Sequence, residues 1–209
     1  MVSQIIYARI FLGDVKMNNK TLDFYDSNIE NYSKDTAYVD FYDIQNCFLK
    51  YLEKGSSILD MGCGTGRDSK YFLNEGYVVD AMDGSIEMCK FASDFTGIRV
   101  EHKLFHELDK VDVYDGIWAS ASLLHVPYDG LKDVFDKISL ALHENGIFYC
   151  SFKYGDYQGY RQDRYFTDLN EKSLLELVDD HFEIVEQWIS EDVRVNQTQI
   201  WLNTIMKKI

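Results

Sequence analysis

Basic residues and long apolar runs are both scarce in this 209-residue chain, and each scarcity excludes a class of partner. Lys and Arg number 21 against 35 Asp and Glu, which gives a formal net charge of −14. A surface of this sign repels nucleic acid and anionic membranes, so we expect neither as a partner. No apolar run approaches the roughly 20 residues that a membrane span needs.

Cysteines are also few and far apart. The four cysteines form no C-x-x-C pair, and they stand at positions 47, 63, 89 and 150. This spacing fits a reducing cytosol, which is the location that we expect, and it argues against a zinc site. Because the sequence contains no clustered set of metal-ligating residues, no metal is expected.

The length and composition predict one domain with a sizeable core. Hydrophobic residues make up 46% of the chain and aromatic residues 15%. Residues 1–16 lack a signal-peptide cleavage pattern, and Met17 opens Met-Asn-Asn-Lys-Thr like an ordinary start. We therefore expect residues 1–16 to be an N-terminal extension, and residues 17–209 to form one domain with a helical cap over 22–53.

Short apolar strands alternate with helical segments along the chain, which favours a parallel sheet with helices on both faces. The predicted fold class is α/β, with a seven-stranded, mostly parallel, doubly wound (Rossmann-like) sheet and a C-terminal antiparallel hairpin. Five strands are expected at 57–61, 77–82, 98–103, 114–120 and 147–152, and the hairpin at 182–190 and 198–206. A polar loop is expected over 154–166 and a helix over 170–179.

A glycine-rich turn follows the first predicted strand and reads Ile-Leu-Asp-Met-Gly-Cys-Gly-Thr-Gly. Its glycines, Gly62, Gly64 and Gly66, allow the main chain to approach a ligand closely, and the helix that follows offers free amide groups. The G-x-G-x-G spacing differs from the G-x-G-x-x-G of dinucleotide folds. Asp60 before the turn would repel a pyrophosphate and attract an ammonium group, and Asp83 ends the next strand about twenty residues later. By composition alone, another kind of nucleotide-binding turn is the alternative.

These residues resemble the first motif of the class I S-adenosylmethionine-dependent methyltransferases. The resemblance covers roughly residues 22–206 and is strongest over 58–127. The string Leu-Asp-Met-Gly-Cys-Gly-Thr-Gly-Arg-Asp-Ser is similar to the small-molecule branch that includes the tellurite-resistance methyltransferases. The resemblance implies S-adenosyl-L-methionine as the cofactor.

The resemblance also implies roles for individual residues. Asp60 would receive the ammonium group directly or through water, and Asp83 would receive the ribose diol. No acid stands at the family's adenine position, so Phe105 is the candidate for that contact, with Glu107 a weaker one and a core role the alternative for Phe105. Tyr25 and Tyr32 would form a lid, or merely pack an amphipathic helix. The expected cofactor-binding residues are Asp60, Gly62, Cys63, Gly64, Gly66, Asp83, Gly84, Phe105, Ser120, Tyr25 and Tyr32.

His125 follows the fourth predicted strand, where this fold holds the methyl acceptor. An unperturbed histidine pKa of about 6.5 suits a general base that removes the proton of an acceptor. His125 is therefore the predicted catalytic residue. The alternative is that it only hydrogen-bonds the loop or lines the cofactor site.

Basic residues gather in the segments that can approach the mouth of the pocket. The expected substrate-binding residues are Lys153, Arg161, Arg164, Tyr165 and Arg194. They would make a positive site for a carboxylate or phosphate on the acceptor. The alternative is that the arginines form surface pairs with acids nearby in the sequence, namely Asp156, Asp163, Glu191 and Asp192.

The sequence therefore predicts a methyltransferase that acts on a small-molecule acceptor with a negative group. One alternative keeps the chemistry and changes the partner, because residues 164–166 loosely resemble a stretch of the wobble-uridine tRNA methyltransferases; the charge of −14 speaks against it. A second alternative is a non-catalytic S-adenosylmethionine-binding subunit of a complex. The sequence does not indicate the oligomeric state.

Overall fold

A computed structural model describes residues 19–178, 181–194 and 197–209. The predicted extension and the start at Met17 lie outside these residues and stay predictions. The first described elements are two helices, α1 (Asn19–Thr36) and α2 (Tyr42–Leu49), in the region where a mostly helical cap was expected. No helix in this part of the chain is long and apolar enough to cross a membrane.

Strands and helices then alternate as the sequence predicts. The elements are β1 (Ser57–Met61), α3 (Arg67–Asn74), β2 (Val78–Asp83), α4 (Ile86–Thr96), β3 (Val100–His102), β4 (Tyr114–Ala119), α5 (Tyr128–Ala141) and β5 (Leu142–Lys153). After them come β6 (Gln158–Arg161), β7 (Arg164–Thr167), α6 (Glu171–Leu175), β8 (Phe182–Glu191) and β9 (Ile200–Lys208). Two short 3-10 turns, Phe105–Glu107 and Leu123–His125, follow β3 and β4.

The predicted fold class is confirmed. Seven strands form one sheet in the order β3-β2-β1-β4-β5-β9-β8. Strands β1 to β5 are parallel, whereas β9 runs antiparallel to both β5 and β8. The strand order reverses between β1 and β4, and the crevice beyond the carboxyl ends of strands at such a point is where open α/β sheets bind ligands.

Alternate residues of the central strands pack on opposite faces of the sheet. In β4, Ile117 packs with helix α5 while Trp118 packs with Phe48 and Phe72 of α2 and α3. The Trp118 ring stacks on that of Tyr149, with 3.9 Å between the ring centroids. Because helices cover both faces, these strands are apolar on both sides, as expected for a parallel sheet.

Three local expectations were wrong. The predicted polar loop over 154–166 contains the hairpin β6–β7, which pairs Tyr160 with Tyr165 across a turn at Gln162. Its turn lacks the Asn-Gly or Asp-Gly signal of tight hairpins, so the sequence did not indicate it. Strand β5 begins at Leu142 instead of 147, because the expected turn is a bulge beside β4. The helix expected over 170–179 ends at Leu175, and residues 179–180 lie outside the described residues.

Gly66 fixes the approach of α3 to α4, and this contact can be tested. Its φ is +77°, and a Cβ would lie 2.7 Å from Thr96 Cγ2 and 3.1 Å from Ala92 Cβ. We expect Gly66→Ala to lower the free energy of unfolding by about 1–2 kcal/mol for the left-handed backbone and by about 1–3 kcal/mol more for overpacking. Urea unfolding measures both.

Gly76 provides the matched control. Its φ is +86°, and a Cβ there would meet nothing within 4 Å. Gly76→Ala should therefore lose only the backbone contribution, about 1–2 kcal/mol. Equal destabilisation by the two substitutions would contradict the packing role of Gly66.

Candidate functional site

A cavity of about 380 Å³ opens beyond the carboxyl ends of the central strands. Its wall is formed by helix α1, the glycine turn after β1, the ends of β2 and β5, the turn after β4 and the segment between β8 and β9. This volume lies in the usual range for small-ligand sites, about 300–1,000 Å³.

The glycine turn is hydrogen-bonded to β2, and only one of its glycines has empty space where a side chain would be. The backbone amides of Gly62 and Cys63 donate to the carbonyl of Met82, at 2.8 and 3.0 Å. A Cβ on Gly62 would lie 2.5 Å from Ser122 Cβ, whereas a Cβ on Gly64 would meet nothing within 4 Å. Gly64 is thus the point at which the main chain itself faces the ligand space.

Gly66, expected at the cofactor, is not on the cavity wall. Its φ is positive like that of the other two turn glycines, but its missing side chain leaves room for helix α4. The geometry therefore gives Gly66 a packing role and leaves ligand contact to Gly62 and Gly64, which do line the cavity.

Asp83 is oriented by two backbone amides at the end of β2. One carboxylate oxygen accepts from the Gly64 amide at 2.8 Å, and the other accepts from the Ser85 amide at 2.8 Å. Burial raises the pKa of Asp83, and these two donors oppose that rise. Each oxygen can accept a further hydrogen bond, so the carboxylate suits a pair of neighbouring hydroxyl groups such as a ribose diol.

Asp60 lies behind the cavity wall. One of its oxygens accepts from the Ser69 amide at 3.0 Å and from the Ser69 hydroxyl at 2.5 Å, and the residue is 2% exposed. Burial and then the charge of Asp68 raise the pKa of Asp60. This position orients one carboxylate oxygen towards helix α3. The contact with an ammonium group, directly or through water, stays a prediction.

A polar network that the sequence analysis missed lies beside the glycine turn. Asp68 lines the cavity and accepts from Gln45 Nε2 at 2.7 Å, from Trp118 Nε1 at 2.8 Å, and from Arg67 Nε and a terminal guanidinium nitrogen at 2.8 and 2.9 Å. The Arg67 guanidinium also lines the cavity and lies 4.2 Å from the centroid of the Phe41 ring. Both charged residues directly follow the glycine turn, which is the signal that could have indicated them.

Tyr25 and His125 form a hydrogen-bonded pair in the cavity. His125 Nδ1 is 2.6 Å from the Tyr165 carbonyl oxygen, which can only accept, so Nδ1 carries the proton and Nε2 accepts from the Tyr25 hydroxyl at 2.8 Å. Burial, opposed by the Tyr165 hydrogen bond, lowers the pKa of His125 to about 4, and the charges of Arg164 and Lys153 lower it further. The imidazole is therefore neutral and a weak base. A general-base role stays a prediction from the sequence, and the geometry favours the orientation of Tyr25.

Helix α1 forms part of the cavity wall, and the lid interpretation of its tyrosines stays a prediction. Tyr25 and Tyr32 both line the cavity, and their rings meet edge to face with 5.2 Å between centroids. Asp26 of the same helix accepts from the Ser85 hydroxyl at 2.5 Å. The helix is thus anchored to the turn that also orients Asp83.

The cofactor-binding candidates after β1, β2, β3 and β4 are on the wall: Cys63, Gly84, Phe105 and Ser120. Phe105 is 6% exposed and lies in the core cluster, so it has the core role, while its contact with adenine stays a prediction. Glu107 is not on the wall, and its carboxylate accepts from the Leu104 amide at 2.8 Å. Among the described residues, no group of three or more His, Cys, Asp or Glu could hold a metal ion.

The predicted substrate residues divide into two groups. Lys153, Arg164 and Arg194 line the cavity, whereas Arg161 and Tyr165 do not. Arg161 forms a two-point ion pair with Asp168, at 2.7 and 2.5 Å. Arg161 is thus paired, as the alternative expected, but with the buried Asp168 and not with one of the surface acids named for it.

Two further candidates have partners close by. Arg194 is paired with Asp192, at 2.9 and 2.7 Å, as the alternative predicted. The Tyr165 ring meets the Tyr160 ring edge to face, with 5.4 Å between the centroids. The Tyr165 amide donates to Thr21 Oγ1 at 3.0 Å, so this amide is already used within the protein. Only Lys153 and Arg164 remain as cations of the wall without a carboxylate partner among the described residues.

Comparison with known proteins identifies the central segment. Residues 58–146 match the model of a methyltransferase domain. A malonyl-[acyl-carrier protein] O-methyltransferase of Salmonella typhimurium is 30% identical over 97 residues, which are 44% of this chain and 37% of that protein. The match thus spans little more than a third of the length of this curated relative.

Solved structures match over a much larger share of the chain. A 1,6-didemethyltoxoflavin-N1-methyltransferase of Burkholderia thailandensis, solved with 1,6-didemethyltoxoflavin and S-adenosylhomocysteine, has a TM-score of 0.74 at 23% identity and covers 91% of this chain and 88% of its own. A TehB-like S-adenosylmethionine-dependent methyltransferase of Corynebacterium glutamicum has a TM-score of 0.68 at 20% identity, over 88% and 99% of the two chains. The class I methyltransferase resemblance predicted from the sequence is confirmed.

The neutral state of His125 predicts a pH dependence of stability. In the unfolded chain a histidine binds a proton below about pH 6.5, whereas folded His125 does so only near pH 4. Between these values the unfolded state holds the extra proton, so stability falls as the pH falls, by at most about 1.4 kcal/mol per pH unit. Above pH 6.5 this contribution is constant.

Urea unfolding of the wild type and of His125→Asn at pH 7 and pH 5 isolates that contribution, because all other titrating groups are shared. The stability difference between the two proteins should shrink by about 1–2 kcal/mol at pH 5. An unchanged difference would mean that His125 is protonated in the folded protein.

Proposed function

We propose that this chain, whose fold and central domain are those of the class I methyltransferases, transfers the methyl group of S-adenosylmethionine to a small-molecule acceptor. The observation that carries the proposal is the Asp83 carboxylate, held by the amides of Gly64 and Ser85 on the wall of the cavity. A diol-binding carboxylate next to an exposed main-chain glycine suits the ribose and methionine parts of this cofactor.

The residues of the wall fit the cofactor in chemistry as well as in position. Asp83 would accept the two ribose hydroxyls, and the main chain at Gly64 would lie along the methionine part. Arg67, fixed by Asp68, supplies a positive charge beside the turn, which attracts a carboxylate. Phe105 offers an apolar face to the adenine ring.

The bound cofactor supplies an activated methyl group on a sulfonium centre, and the protein has to orient the acceptor and exclude water. Tyr25 and Tyr32 of α1 close the cavity from above. His125 accepts the Tyr25 hydroxyl hydrogen bond and so fixes the direction of that side chain. In this arrangement His125 positions the lid.

The size and charge of the site support a small acceptor with a negative group. The cavity is about 380 Å³, and one structural relative is named for its action on 1,6-didemethyltoxoflavin, a small molecule. Lys153 and Arg164 are cations of the wall in a chain of net charge −14. Among the cations of the described wall, these two are the ones that no carboxylate pairs, so they are the ones available to an acceptor anion.

The two other functions have less support. A tRNA substrate would need a basic surface. The Arg164 guanidinium, from the stretch that resembles the tRNA enzymes, lies instead on the cavity wall. Its carbon is 4.5 Å from the centroid of the Phe24 ring. A non-catalytic subunit would need a partner to complete the site, whereas lid, glycine turn and cations all come from this chain.

Gly64→Val tests the cofactor site directly. The added side chain would enter the cavity, since nothing of the protein lies within 4 Å of a Cβ at this position. We expect affinity for S-adenosylhomocysteine to fall roughly 100-fold or more, about 2.7 kcal/mol, in isothermal titration calorimetry. Gly76→Val is the control, because it has the same left-handed strain and no cavity. Equal affinity of the two variants would contradict the proposal.

Asp83→Ala tests the diol contact. Losing the partner of charge-assisted hydrogen bonds should weaken S-adenosylhomocysteine binding by about 1–3 kcal/mol. The 2′,3′-dideoxy analogue of the ligand provides the check, because it should bind the wild type and the variant with similar affinity. A full penalty for Asp83→Ala with this analogue would show that the carboxylate acts on the fold and not on the diol.

A further inference from the structure

Lys153 and Arg164 are cations without an anionic partner in the described part of the chain. The Lys153 ammonium, at the end of β5, makes neither a hydrogen bond nor an ion pair there. Arg164 interacts with the neutral Tyr25 hydroxyl, makes no ion pair, and buries its Nε without a hydrogen-bond acceptor. Leaving charged donors unpaired in a half-buried site is costly. Both side chains line the cavity, so a ligand can supply the missing acceptors.

The two cations lie around one aromatic ring. The Lys153 ammonium is 4.1 Å and the Arg164 guanidinium carbon 5.2 Å from the centroid of the Phe166 ring, which is itself on the cavity wall. Arg161 lies 5.3 Å from the same centroid, but Asp168 neutralises it. This end of the cavity therefore carries two positive charges that no carboxylate of the described residues pairs, both next to the same ring.

The two other cations of the cavity wall are already paired with carboxylates. Arg67 is paired with Asp68 and Arg194 with Asp192. Asp83 is held by two backbone amides at the end of β2 and is the proposed partner of the diol. Glu191, at the end of β8, is exposed. The cavity thus has a specific location for one acceptor anion, beside Phe166.

Few side chains of this cavity are placed to remove a proton from an acceptor. Both His125 nitrogens are hydrogen-bonded within the protein. Asp68 accepts four hydrogen bonds, and Asp192 accepts from Arg194 and from Trp201 Nε1 at 3.2 Å. Burial raises the pKa of Cys63, so its thiol stays protonated. An acceptor that arrives already deprotonated would need none of these groups.

We propose, on the premise of the function proposed above, that the methylated atom is a carboxylate oxygen of the acceptor, that Lys153 and Arg164 hold this carboxylate, and that the product is a methyl ester. One carboxylate oxygen can be held by the cations while a lone pair of the other attacks the methyl carbon. The new bond is O–CH₃, and the bond that breaks is the one between the methyl carbon and sulfur.

The electron pair of the broken bond stays on sulfur, which becomes a neutral thioether, and no proton is taken up or released. A negative and a positive reactant thus give two neutral products. Such a charge-cancelling step suits an enclosed, aromatic-lined cavity, because little solvent has to reorganise. The ester has also lost the charge that held the substrate at Lys153 and Arg164, which favours its release.

An alternative role for Lys153 is that of a general base. Burial and then the charges of Arg161, Arg164 and Arg194 lower its pKa, with Asp168 opposing them. A lysine of this kind can act as a base towards an amine, a hydroxyl group or a thiol. Loss of activity in a Lys153 variant would fit both the anion-binding role and the general-base role. The chemical nature of the product therefore has to decide between them.

The product can be classified before the acceptor is identified. The full-length protein is incubated with S-adenosyl-[methyl-³H]methionine and the deproteinised small-molecule fraction of a cell extract, and the products are then treated with mild alkali. Methyl esters release the label as volatile methanol, whereas N-methyl, S-methyl and methyl ether groups keep it. We expect most of the protein-dependent label to be volatile after alkali.

Chemical blocking of the extract provides a matched pair of controls. Amidation of its carboxylates with carbodiimide and ammonia should abolish labelling, whereas acetylation of its amines and hydroxyl groups with acetic anhydride should leave labelling intact. The opposite pattern would overturn the proposal and assign the acceptor atom to an amine or a hydroxyl group.

Substitutions connect the chemistry to the two cations. Lys153→Met and Arg164→Met should each raise the amount of extract needed for half-maximal labelling about tenfold or more, the loss expected for one charge-assisted hydrogen bond. Arg164→Lys should recover part of this loss. Affinity for S-adenosylhomocysteine should stay unchanged, and Lys172→Met, an exposed site on α6, should behave as the wild type.

The outcomes separate this proposal from the one on which it rests. Protein-dependent label that survives alkali would overturn the carboxylate assignment and leave the methyltransferase function standing. A protein that binds S-adenosylhomocysteine and labels nothing in any fraction would count against both. Ester formation that is indifferent to Lys153→Met and Arg164→Met would overturn the assignment of the two cations.

Discussion

The hydrogen bond between the Gly64 amide and the Asp83 carboxylate is the contact on which the site depends. It joins the turn after β1 to the end of β2, at a residue whose φ is positive and whose main chain is open to the cavity. The second Asp83 oxygen accepts from Ser85, whose hydroxyl in turn donates to Asp26 of α1. Through these hydrogen bonds, the Asp83 carboxylate fixes the glycine turn and helix α1 relative to the proposed diol position.

Charge is distributed in this protein so that the exterior is acidic and most interior charges are paired. Asp68 shows how complete this pairing is, since four donors from three residues surround it at the base of the cavity. Against that background, two unpaired cations beside Phe166 are conspicuous. In a region of low dielectric, an unpaired charge interacts strongly with any ligand of opposite sign, so these positions decide what the cavity accepts.

Much of the site could be predicted because parallel strands bring their carboxyl ends to one edge of the sheet. Gly64, Asp83 and His125 follow three neighbouring strands, and all three line the cavity. The sequence does not tell on which side of a strand end a carboxylate emerges, and Asp60 is an example. One of its oxygens accepts from Ser69, and the residue is not part of the cavity wall.

The sequence by itself determined the fold class, the position of the glycine turn and the edge of the sheet at which a ligand binds, since these follow from periodicity and local backbone chemistry. Only the tertiary structure decided which cations are free. Arg161 and Arg164 are three residues apart in one hairpin, yet the first is neutralised by Asp168 and the second faces the cavity. The physical reason is that the nearest opposite charge in space decides whether a side-chain charge is neutralised. In a folded chain those neighbours come from elements that are far apart in the sequence.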